Sequence, residues 1–147
     1  MELRRLHTED NSTVIEIWNN AIRSTHHFLA EEDIRILEKK TLVDLLDRIN
    51  IFGICNSNNQ ILGFIGLLNS TIEMLFINPD SFGKGIGTRL LNYAVNVEGA
   101  SKLEVYEVNT KAITLYESFG FKIVSRNPVD EILGKPFPIL TMKRLPD

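Results

Sequence analysis

The chain has 147 residues, enough for one domain with a sizeable core, since a chain of about 150 residues buries about 68–70% of its unfolded surface. Its 44% hydrophobic and 24% charged residues are ordinary for a folded domain, and a net charge of −3 argues against nucleic acid as the main partner. The one cysteine, Cys55, excludes an internal disulfide and a cysteine-rich metal site, and no metal is expected.

The N-terminal MELRRLHTEDNSTV carries no apolar signal segment, and no later run approaches the ~18 apolar residues of a membrane span. A soluble, cytoplasmic protein with no membrane partner is the expectation. Residues 2–6 read as a short strand. Asn11 or Ser12 can cap the helix that follows, whose apolar stripe is Val14, Ile17, Trp18 and Ala21. After an interruption over residues 23–30 (RSTHHFLA), acidic residues at 31–33 suit the start of a second helix. Ile34, Leu37, Leu42, Leu45 and Leu46 are its buried face.

Two strand patterns, residues 51–56 and 60–68, flank Ser57-Asn58-Asn59 and predict a hairpin. A further turn at Asn69-Ser70 leads to an apolar run over residues 72–77, interrupted only by Glu73. Asn78-Pro79-Asp80 ends it, because proline fixes φ and drives its predecessor out of helical geometry. Glycines follow at 83, 85 and 87, and then a helical pattern to about Val97, stopped at Gly99. Residues 102–108 alternate as a strand. Asn109 opens a last helix that ends at Gly120, and residues 121–125 and 137–142 are two more strands.

The strand at 72–77, the helix after it and the strand at 102–108 form a βαβ unit, so those two strands should run parallel. The remaining connections imply antiparallel pairing. One α/β domain spanning residues 1–147, with a mostly antiparallel sheet, is therefore expected.

Strand, glycine-rich loop and helix in succession present free backbone N–H groups and a partial positive charge to an anion. Lys84 and Arg89 flank the turn, so the expected ligand is a phosphate or pyrophosphate. No Lys-Ser/Thr pair follows the glycines, which excludes a P-loop. The G-x-G-x-G spacing, several residues past the strand, fits a dinucleotide fingerprint poorly, although Glu104 lies roughly where a ribose-binding acid would.

The stretch resembles motif A of the GNAT acetyltransferase superfamily, [Q/R]-x-x-G-x-[G/A] between a strand and a helix, with its glycines at Gly85 and Gly87. Phe82 stands at the Gln/Arg position, a departure from the family. Residues 108–121 (VNTKAITLYESFGF) resemble the second cofactor-side motif, N-x-x-A-x-x-x-Y-x-x-x-G-F. STHHFL near residue 26 and VDEILGKPFPIL near residue 135 are similar to the YjaB-type branch of bacterial acetyltransferases. The resemblance implies the GNAT fold, with helices on both faces of the sheet and a central parallel pair that splays to admit the pantetheine arm of acetyl-CoA.

It also implies residue roles. Backbone groups of Phe82, Gly83, Lys84, Gly85, Ile86, Gly87 and Thr88 would hold the pyrophosphate, and those of Leu75, Phe76 and Ile77 the pantetheine. Tyr116, whose phenol stays protonated at pH 7, would give a proton to the leaving thiolate, with Asn109 two helical turns earlier on the same face. Two candidates stand for the base: Glu73, where several GNAT enzymes carry a glutamate, and the His26-His27 pair, since imidazole titrates near neutrality.

The irregular segments 23–30 and 127–138 are expected to select the acceptor, a small-molecule amine or a protein lysine or N-terminus. His27, Phe28 and Phe137 would form its walls, with Asp130 and Glu131 attracting a cation. A homodimer is compatible with this reading. The rival from another class is a non-catalytic acyl-CoA-binding module.

Overall fold

The apolar runs pair into one sheet. In the computed structural model, which describes residues 1–145, the strand order is β1-β2-β3-β4-β5-β7-β6. The strands are β1 (Glu2–Leu6), β2 (Asn50–Cys55), β3 (Ile61–Leu68), β4 (Thr71–Ile77), β5 (Lys102–Tyr106), β6 (Lys122–Asn127) and β7 (Ile139–Lys143). All neighbours are antiparallel except β4 and β5, which run parallel as the βαβ connection requires. The expected hairpin joins β2 to β3. Asn59 takes a φ of 60° there, and the Asn56 side chain accepts hydrogen bonds from the Asn58 and Gln60 amides.

Helices cover both faces. On one lie α1 (Asn11–Thr25), α2 (Glu31–Leu37), a π-helical turn (Glu38–Leu42) and α3 (Val43–Leu46). On the other lie α4 (Ile86–Asn96) and α5 (Thr110–Ser118). Two apolar cores result. Val14, Ile17, Trp18, Ile34, Leu42 and Phe64 build the first, and Ile65, Leu90, Leu91, Ala94, Leu103 and Phe121 the second. Nearly every residue of β2 and β3 is buried, because both sides of these central strands are covered. Cys55 sits in that interior as a free thiol. Among the described residues, no helix is long and apolar enough to cross a membrane.

Three local expectations are corrected. Asp10, not Asn11 or Ser12, precedes α1; its carboxylate accepts from the His7 amide (2.9 Å) and pairs with Arg4 (3.2 Å) instead of capping the helix. The second helix is broken by the π turn. Its buried residues step from Leu37 to Leu42, five positions, the interval of an i→i+5 turn, where an α-helix would place its next inward residue three or four on. β5 stops at Tyr106, and the chain bends to Asn109, whose side chain caps α5 by accepting from the Ala112 amide.

Candidate active site

The site begins with a defect in the sheet. Gly66 pairs with Met74 and Leu67 with Ile72, so Glu73 is an extra residue on β4 with no partner on β3. Such a bulge bends its strand and re-aims the side chains beyond it. Ile72 accordingly packs in the core under α4, while Met74, two positions on, packs in the core under α1. On the other side of β4 the parallel ladder has only two pairs, Thr71 with Lys102 and Ile72 with Leu103. Beyond Glu73 the strands separate. The β4 edge from Leu75 to Ile77 keeps its ladder to β3 and has no strand against its β5 side.

At the end of β4 the chain turns through a short 3₁₀ segment (Pro79–Ser81) into the glycine loop. Gly83 and Gly85 have φ of 80° and 74°, a region costly for side chains, and a Cβ at either would meet no atom within 4 Å. The loop's surface is thus open backbone. Gly85 caps α4, and the first loop-to-helix bond runs from the Arg89 amide to the Gly85 carbonyl (3.1 Å). The amides of residues 83–88 have no backbone acceptor in the described structure, which leaves them for an anion. Phe82 is 48% exposed. Arg89 does not serve the turn; its guanidinium donates to the Met1 carbonyl (3.1 Å).

The split between β4 and β5 opens into a cleft of about 240 Å³. Glu73, Leu75 and Phe76 line it from β4, Glu104 and Tyr106 from β5, Asn109 and Tyr116 from α5 and the turn before it, and Trp18, His26 and Thr41 from the opposite layer. Tyr116 is buried, its ring edge-on to Phe121 at 6.1 Å, and burial pushes its phenol up to about 12. Its hydroxyl has no hydrogen-bond partner among the described residues. Glu73 has its carboxyl raised above the ordinary value, first by desolvation and then by the charge of Glu104. His26 is lowered to about 4, mainly by burial and secondarily by His27, so its ring is neutral at pH 7; its Nδ1 meets the Thr25 hydroxyl at 2.7 Å.

An aromatic wall closes the far end. Tyr106 stands edge-on to His26 (5.8 Å) and Phe28 (5.0 Å), and Phe28 edge-on to Phe137 (5.1 Å). Phe28 and Phe137 thus stand behind the lining residues. The wall is pinned from below. Tyr106 donates its hydroxyl to Asp130, which is 2% exposed and also accepts from the Ile132 and Leu133 amides. Lys135 pairs with buried Asp33 at 2.6 Å, fastening the same loop to α2 and holding the Asp33 carboxyl below its usual range.

Of the residues expected from sequence, Glu73, Tyr116, Asn109, Leu75, Phe76 and His26 are brought together around the cleft. Ile77 and the loop 82–88 lie beyond its lining, on the path the β4 edge takes toward α4. His27 is exposed and lines nothing. Asp130 turns inward to hold Tyr106, not outward to attract a cation. Glu104 faces Glu73 instead of a ribose. Tyr106, Trp18 and Thr41 were not anticipated. For Tyr106 the readable signal was an aromatic at the end of a strand of a βαβ unit, where open sheets bind ligands.

A family profile described as an acetyltransferase (GNAT) domain matches residues 47–123, the span from β2 through the bulged strand and glycine loop to Tyr116 and the start of β6. The chain is 32% identical over 142 residues, 97% of its own length and 97% of the relative's, to the peptidyl-lysine N-acetyltransferase YjaB of Salmonella typhimurium. The solution structure of apo-form YjaB from Escherichia coli superposes with a TM-score of 0.83 at 32% identity, covering 99% of this chain and 98% of that one. The PaiA N-acetyltransferase of Thermoplasma acidophilum, solved in complex with coenzyme A, matches with a TM-score of 0.71 at 25% identity over 97% and 98% of the two chains. Bulged strand, open glycine loop, split parallel pair and buried tyrosine all fall within the span that the family profile matches, and this chain belongs to the GNAT acetyltransferases, enzymes that move an acetyl group from acetyl-CoA to an amine.

Proposed function

We propose that the acceptor is a lysine side chain of a protein or peptide, received in the cleft between β4 and β5. The carrying observation is the cleft's composition: carboxylates at Glu73 and Glu104, aromatic walls at Trp18, Phe76 and Tyr106, and no lysine or arginine among the described residues that line it. Such a slot favours a cation on an apolar stem, by charge and by ring-face attraction. The relatives named as peptidyl-lysine N-acetyltransferases support this choice over a small amine. The cytoplasm, where acetyl-CoA and protein lysines meet, is the proposed site of action.

The residues divide the work. The open amides of residues 83–88 hold the pyrophosphate, and the unpaired edge of Leu75, Phe76 and Ile77 takes the pantetheine amides as a strand would. Phe82 contributes backbone only. Acetyl-CoA supplies the activated acyl group as a thioester. An exposed lysine, with a pKa of about 10.4, arrives charged, and desolvation between apolar walls lowers that value. Glu73, its own basicity raised and Glu104 beside it, takes the proton from nitrogen. The amine lone pair then attacks the acyl carbon as the carbon–sulfur bond breaks, Tyr116 gives its phenolic proton to sulfur, and the second proton of the acylated nitrogen passes to the phenolate, leaving a neutral amide and restoring the phenol. A phenol near 12 is a weak acid, but the thiolate faces the same apolar surroundings and is raised in step. His26, at about 4, is a poorer base than Glu73 and serves as wall.

The test is thiol release from acetyl-CoA across lysine peptides, peptides blocked at lysine with a free N-terminus, and spermidine. The reading expects kcat/KM on lysine peptides at least about tenfold above the other two. Equal rates on all three would remove the lysine assignment. No release with any amine, despite coenzyme A binding, would favour the non-catalytic module.

A further inference from the structure

Threonine inside a helix ordinarily turns its hydroxyl back onto a carbonyl of the preceding turn. Thr25 does so to Ala21 (2.8 Å) and Thr114 to Thr110 (2.9 Å). Thr41 does not. It lies in the π turn Glu38–Leu42, where the backbone ladder is widened, and its Oγ1 is buried with no hydrogen-bond partner among the described residues. Thr41 also lines the cleft, in company with Glu73, Trp18 and Leu37. A buried polar atom without a partner is rare in native structures and demands a cause, and π turns occur preferentially at functional sites.

We propose that the Thr41 hydroxyl binds the acceptor amine, an inference that rests on the lysine-acceptor reading above. An amine attacking an acyl carbon must aim its lone pair at that carbon, which leaves two N–H bonds needing acceptors. A carboxylate takes one. A neutral hydroxyl oxygen suits the other, because it favours the protonated, unreactive form far less than a second carboxylate would. Rotation about χ1 exchanges the methyl and hydroxyl of Thr41, and helical threonines occupy two such wells. The fold holds this hydroxyl unpaired, and the acceptor supplies the partner.

The test compares Thr41→Val, which keeps the shape and removes the hydroxyl, with Thr41→Ser, which keeps the hydroxyl. Valine should leave the melting temperature unchanged or raise it, since an unpaired buried oxygen disappears. It should lower kcat/KM for a lysine peptide roughly five- to tenfold while the dissociation constant for acetyl-CoA stays within about twofold. Serine should stay near wild type in both. Calorimetry of a lysine peptide binding to the protein loaded with coenzyme A gives the same comparison without turnover, so failure of the catalytic reading can be told from failure of this one. A valine variant within twofold of wild type in peptide binding overturns the proposal. So does one that loses stability and peptide binding together.

Discussion

The two ends of the cleft are made of different material. The end proposed for the cofactor is backbone: the edge of β4 past Glu73, and the amides of a loop whose glycines sit at positive φ. The end proposed for the acceptor is side chains: Trp18 from α1, Thr41 from the π turn, Tyr106 from β5, and Phe28 and Phe137 behind them from loops over 100 residues apart in sequence. Backbone sites tolerate change in side chains, so an exposed Phe82 can stand at the start of the loop without a polar side chain there. Side-chain sites change with every substitution. One scaffold can thus keep its cofactor and vary its acceptor.

Perturbing each end in turn separates them, and the largest effect is expected at Tyr116, the residue proposed to serve both. Tyr116→Phe removes one hydroxyl that has no hydrogen-bond partner among the described residues, so packing and acetyl-CoA affinity should persist while kcat falls about a hundredfold, the lower part of the 10²–10⁴ range for general acids. Steady-state kinetics beside thermal denaturation reads this. Turnover within about threefold of wild type would assign the proton to solvent, since a general acid contributes far more.

Next comes pH, which acts on the acceptor end. His26 falls from an ordinary 6.5 to about 4 on folding, so between those values the unfolded chain binds the extra proton and stability drops as pH falls. At 1.36 kcal/mol per unit the ceiling is about 3 kcal/mol, and the partial exposure of His26 brings it to about 2. Melting temperature followed from pH 7 to pH 4.5 should fall less in His26→Gln than in wild type. Parallel curves would mean that the ring is solvated.

Gly85→Asp addresses the cofactor end. It adds a carboxylate to the anion cradle at a φ that side chains avoid, and coenzyme A binding should weaken at least about tenfold, ~1.4 kcal/mol, with acceptor binding retained. Calorimetry on the folded variant decides; unchanged affinity would put the phosphates elsewhere. The smallest effect is that of Tyr106→Phe. Losing the bond to buried Asp130 should cost about 1 kcal/mol, a melting shift of roughly 2–4 °C, and raise the acceptor KM with acetyl-CoA affinity intact. A rise in the acetyl-CoA dissociation constant would show that the two ends are not separable.

The same contrast governs what could be read in advance. Strand, glycines, helix and parallel return are local patterns, and each became the expected element within a few residues. Asn109 and Tyr116 share a helix and keep their spacing. Where the fold departs from local pattern, reading failed. The bulge at Glu73 arises from a two-against-one pairing with β3, which no single strand's alternation reveals. The π turn left a trace in the five-residue step from Leu37 to Leu42 that was absorbed into one long helix. Asp130 looked like a surface acid because its partner, Tyr106, lies 24 residues away. His27 adjoins His26 in sequence, yet only His26 lines the cleft and His27 is exposed.

In the proposed complex, acetyl-CoA lies along the free edge of β4 with its pyrophosphate on the open glycine loop. Amide chemical shifts followed by NMR during titration with coenzyme A test it directly. The largest changes should fall on residues 83–88 and on Leu75, Phe76 and Ile77, with slower amide exchange at the same positions once the cofactor is bound. The polar hollow around Arg4, Asp10, Asn59 and Asp80 on the surface should stay silent. Changes gathered in that hollow, with the β4 edge and the loop unmoved, would contradict the assignment.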